Sequence, residues 1–158
     1  MARPEPRLIE ALRLTARRLE RGADYRWTHM GQCNCGHLAQ TVTRKSSAEL
    51  HRLALEKPGD WTQQALDYCP TSGYTMDHVL QSLLDLGLDH GDLGRLEKLS
   101  DAKVLARVEK SRRPLDKRSR PDLVLYLRTW ADQLEGQWLE GQAVPSYLPA
   151  SAPVRVEA

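Results

Sequence analysis

No stretch of this 158-residue chain approaches the roughly 20 apolar residues that a membrane-crossing helix needs, so a helical membrane protein is not expected. The formal net charge is only +2, too small an imbalance to draw the chain as a whole toward nucleic acid or lipid. Behind Met1-Ala2-Arg3-Pro4-Glu5 there is no apolar run of the signal-peptide kind, and the expectation is a cytoplasmic address, where thiols stay reduced. Only three cysteines occur, an odd number that excludes a fully paired disulfide framework. Gly-x-Gly-x-x-Gly, a Walker loop, His-Glu-x-x-His, Cys-x-x-Cys-His and paired Glu-x-x-His motifs are all missing. Dinucleotide, P-loop, zincin, haem-attachment and di-iron chemistry therefore have no signature here.

What is present reads as helix. Leu8, Ile9, Leu12, Ala16 and Leu19 recur at helical spacing, opposite a face rich in arginine. Ser46 and Glu49 stand as a capping box before Leu50 and Leu53. Asp60 suits the cap of a helix from Trp61 to Tyr68, and Thr75 the cap of one from Met76 to Leu86, with Gly87 as its stop. A short helix or turn is expected over Asp89–Leu99, another helix from a Ser100 cap over Asp101–Lys110, and a last one after Pro121 through Leu123, Leu127, Trp130, Leu134 and Trp138. No alternating run long enough for a confident strand occurs. The expected fold is all-α: one domain of six to eight mostly short helices over residues 1–142, the first and last longest, and a mobile tail over 143–158.

The chemistry concentrates in Trp27-Thr28-His29-Met30-Gly31-Gln32-Cys33-Asn34-Cys35-Gly36-His37 and in a second patch, Asp67-Tyr68-Cys69-Pro70-Thr71-Ser72-Gly73-Tyr74, followed by His78. Thiolate and imidazole are the usual ligands of zinc and iron. Cys33, Cys35 and His37 alternate, so extended backbone would set all three on one side. The expectation is one zinc or iron centre, an iron–sulfur cluster included, with Cys33, Cys35 and Cys69 as thiolates and His37 or His78 as the fourth ligand. His29, between Trp27 and Met30, reads as wall rather than ligand.

Two other readings stay open. If a helix begins at Gly36, Cys35 lies at its N-terminus, where unpaired amides favour a thiolate, and a redox or nucleophilic thiol follows. The run Cys69 to Thr75 has the length of a phosphatase loop, but it ends in Thr75 where that loop requires arginine. In the basic stretch 110–120, Arg112, Arg113, Lys117, Arg118 and Arg120 are candidate phosphate contacts for nucleic acid, against the plainer reading of a solvated linker. Tyr25, Trp27, Trp61, Tyr68 and Tyr74 gather around the two patches and could wall a pocket, although such residues are more often core, and Trp61 at a helix start reads that way.

Overall fold

The helical stripes become eight α-helices and one 3-10 turn in the computed structural model, which describes residues 1–68 and 75–142. They are α1 (Pro6–Glu20), α2 (Asn34–Thr43), α3 (Ser47–Ala54), α4 (Trp61–Leu66), α5 (Thr75–Asp85), α6 (His90–Lys98), α7 (Ala102–Leu105), the 3-10 turn Lys110–Arg112 and α8 (Arg120–Gln142). No strand occurs among the described residues, so the all-α expectation holds, with α1 and α8 the longest elements. No helix among them is long and apolar enough to cross a membrane. The expected tail over 143–158 and the patch 69–74 lie outside the described residues.

The main packing runs along α1 and α8. Leu8, Leu12, Ala16 and Leu19 of α1 are fully buried, as are Leu123, Leu127 and Ala131 of α8. Arg13 reaches across the seam to Asp132 (2.9 Å) and Glu135 (2.7 Å). Those pairs are solvent-exposed, so the apolar seam carries the energy: truncating one such leucine costs about 2–5 kcal/mol, an exposed ion pair less than about 1. α2 is the hub, touching α1, α3, α5 and α6, and its residues 34–39 are all buried.

The caps follow local chemistry. Ser46 and Glu49 form the capping box, Asp60 caps α4, and Gly87 ends the turn after α5 at φ 110°. Asp89 and Asp92 form a second capping box, which accounts for the acidic cluster before α6. Two expectations are corrected. α4 stops at Leu66 rather than Tyr68. α7 is capped by Asp101 rather than Ser100 and ends at Leu105, short of Lys110. There Arg113 takes over as donor, giving its Nε–H to the Val108 carbonyl at 2.7 Å and a second N–H to that of Ala106 at 3.3 Å. Carbonyls satisfied by a side chain need no further helical turn.

Candidate functional site

The expectation that Cys33, Cys35 and His37 share one side of extended backbone is overturned. Only Cys33 is extended (φ −75°, ψ −178°); α2 begins at Asn34, not at Gly36. Cys33 is its N-cap, its sulfur accepting the Gly36 N–H at 3.4 Å. On a helix, residues two apart face different ways, and the His37 ring parts from the two cysteines. Cys35 turns to α6 and donates its S–H to the Leu93 carbonyl at 3.1 Å. The His37 ring meets the Asp24 carbonyl through Nε2 at 2.7 Å and tilts against Tyr25.

Two glycines hold this start of α2 in place. Gly31 has φ 100°, and a Cβ there would stand 2.5 Å from the Ser47 carbonyl oxygen. A Cβ on Gly36 would stand 2.6 Å from the Gly31 backbone. Neither position admits a side chain without backbone movement. Asn34, fully buried, clips the same turn to α6: its Nδ2 donates to the carbonyls of Leu96 (3.1 Å) and Glu97 (3.0 Å), and its Oδ1 stands 2.6 Å from the Tyr25 hydroxyl. The Trp27 indole N–H also donates to the Glu97 carbonyl, at 3.0 Å.

Glu97 is the residue that the sequence did not mark. Its carboxylate accepts the Cys35 backbone N–H at 3.0 Å, which sets its charge beside both cysteines. Burial pushes the Cys33 and Cys35 thiols up, and the nearby Glu97 charge pushes them further. Burial likewise raises the Glu97 carboxyl, against the lowering pull of the N–H and S–H groups around it. Burial brings His37 down to about 4, with the Arg18 and Arg120 charges adding to the fall and the Asp24 carbonyl opposing it. At neutral pH the thiols are therefore protonated and the imidazole is neutral. At Cys35 burial opposes the thiolate that a helix N-terminus would favour.

The other candidates separate. His78 is exposed on α5, and Cys69 lies outside the described residues. Among the described residues, no three His, Cys, Asp or Glu side chains form a group that could hold a metal ion. His29 stacks on His51 with ring centroids 4.1 Å apart. In the basic stretch, Arg112 pairs with Asp122 at 3.3 Å, Arg113 is engaged with carbonyls, and Lys117 and Arg118 lie over the Trp27 ring at 4.4 and 5.2 Å. Arg120 opens α8 beside Arg112 and Arg128 along a groove.

Beside Cys33 lies a cavity of about 250 Å³ walled by Trp27, Trp61 and Met30, with Thr28, Asp60 and Glu97 completing its lining. Trp27 stands where aromatic crowding could wall a pocket; Trp61, expected as core, is buried and also lines the cavity, while Tyr25 bonds Asn34 and Tyr68 packs near His90. Tyr74 lies outside the described residues. Compared with protein-family models, curated proteins and solved structures, the chain matches none of them.

Proposed function

We propose that the protein binds a zinc or iron ion where α2 meets α6, with Cys33 and Cys35 as thiolate ligands. One observation supports this: two buried thiols and a buried carboxyl stand together, all three biased by burial toward their protonated forms. A cation there displaces the protons and removes the penalty that raises them. Among the described residues no three such side chains form a group that could hold an ion, so the reading requires a donor from outside them, and Cys69 is the remaining cysteine. His37, now bonded to the Asp24 carbonyl, or His78 on α5 supplies the fourth ligand. A reducing, cytoplasmic setting belongs to the same proposal, since a disulfide would consume the ligands.

Neither rival gains support. Neutral thiols are poor nucleophiles. Four of the five candidate phosphate-binding cations already contact the protein. The test is elemental analysis of protein purified without a histidine tag, beside Cys35→Ser, followed by cobalt substitution. Near-stoichiometric metal that the variant loses, with a thiolate-to-cobalt absorption band, is the expected result. Metal content near zero, or metal unaffected by Cys35→Ser, overturns the proposal.

A further inference from the structure

The groove between the end of α1 and the start of α8 is chemically unlike the thiol site. It has a volume of about 480 Å³, and Arg112, Arg120 and Arg128 line it against a single acid, Glu20, with Val124 and Leu125 as its apolar side. Arg112 gives one hydrogen bond, at 3.3 Å, to Asp122, and Arg128 gives one to Glu20. Both arginines are about half exposed, and a guanidinium carries five N–H donors, so most of theirs have no acceptor among the described residues. The Arg120 guanidinium has neither a hydrogen-bond nor an ion-pair partner among them. Arg120 also opens α8, where the helix dipole opposes a cation. Arg18, on α1, adds to the imbalance. It bonds Gln40 and Thr41 and no described carboxylate, and its charge and that of Arg120 act on the same His37 ring. Positive charge is thus gathered at one end of a chain whose net charge is only +2.

We propose that this groove binds a small phosphate monoester on an aliphatic body. The guanidiniums of Arg112, Arg120 and Arg128 donate to the phosphate, whose three terminal oxygens accept more of their hydrogen bonds than the two of a carboxylate can. The body lies along Val124 and Leu125. No aromatic residue lines the groove, so a nucleotide base has no face to stack on there. Acids already hold two of the three arginines, which suits one compact anion better than the polyanion of a nucleic acid. A volume of about 480 Å³ is in the range of small-molecule sites. Neither Cys33 nor Cys35 lines the groove, so this proposal stands or falls apart from the metal proposal.

The probe is hexyl phosphate, compared with hexanoate, which changes the head, and with inorganic phosphate, which lacks the body. Each is titrated into the full chain by calorimetry. The expected result is saturable binding of hexyl phosphate with a dissociation constant below about 1 mM, at least about tenfold tighter than either comparator. Burial of about two methylenes is enough for the margin over inorganic phosphate. Arg120→Gln should weaken hexyl phosphate at least about tenfold through the loss of a charge-assisted hydrogen bond, while Arg52→Gln, at an exposed arginine of α3, leaves it unchanged. The Arg120 side chain has no described partner, so its removal takes no contact from the fold, and equal melting temperatures of the two variants check this. The absence of a hexyl phosphate response up to about 10 mM overturns the proposal, as does equal binding of either comparator or unchanged binding by Arg120→Gln. Sedimentation with vesicles containing phosphatidic acid separates a free ester from a lipid head group. Vesicle binding without hexyl phosphate binding moves the contact to a membrane surface and overturns the proposal too.

Discussion

Acidification should unlock the fold at His37. The ring is 1% exposed; when Nε2–H donates to the Asp24 carbonyl, Nδ1 is a bare lone pair with no partner among the described residues. A second proton must then sit on buried Nδ1 with no acceptor, near the Arg18 charge. This is why the ring falls to about 4 from its ordinary 6.5. The folded state binds this proton less readily than the unfolded chain does. The stabilisation is therefore complete above about pH 6.5 and is lost as pH falls toward 4. Across that window the loss reaches about 3 kcal/mol, at roughly 1.4 kcal/mol per pH step where it is steepest. Glu97 acts in the opposite direction, because its raised carboxyl takes up a proton more readily in the folded state. The measurement is therefore a difference: urea unfolding of the unaltered chain and of His37→Gln, from about pH 7 to about pH 4. The variant loses stability at neutral pH, and the gap between the two should close by about 3 kcal/mol on acidification. Parallel stability curves would refute the argument.

At the alkaline end, unfolded thiols ionise as pH passes about 9 while buried Cys33 and Cys35 hold their protons. Stability of the ion-free protein should then fall by up to about 1.4 kcal/mol per pH step for each thiol; urea midpoints for Cys35→Ala should show about half the slope, and an unchanged slope would count against the burial argument. Gly36→Ala places a Cβ 2.6 Å from the Gly31 backbone, so it should destabilise by about 1–3 kcal/mol by chemical denaturation although alanine is the better helix former. Asn34→Asp turns a carboxylate oxygen toward the Leu96 and Glu97 carbonyls, and should lower the melting temperature by about 6–12 °C, the equivalent of roughly 3 kcal/mol.

The fold was legible wherever the signal is local. Ser46 with Glu49, Asp60 before Trp61, and Gly87 after α5 are each decided by neighbours within a few residues, and each does in the structure what its chemistry requires. The end of α7 was not legible, because it depends on Arg113 folding back onto the Ala106 and Val108 carbonyls. Arginine in a basic run carries no mark of that use. The same holds for Lys117 and Arg118, whose partner is the face of Trp27, some ninety residues earlier.

The start of α2 misled for a physical reason. Glycine and asparagine around two cysteines read as irregular backbone, since these residues favour turns and left-handed conformations. Here Gly31 does adopt positive φ, but Gly36 is helical, and its hydrogen side chain serves close approach to Gly31. Asn34 resembles a turn residue but is buried, with its amide given to the backbone of α6. Cysteine is not among the common N-cap residues, so nothing marked Cys33 as the cap. Once α2 starts at Asn34, the alternating triad must diverge, and the partner of the two thiols has to come from elsewhere. It comes from Glu97, on a helix 62 residues further on, where one acid among Arg95, Lys98 and Asp92 has nothing to distinguish it until it is buried against the Cys35 backbone N–H.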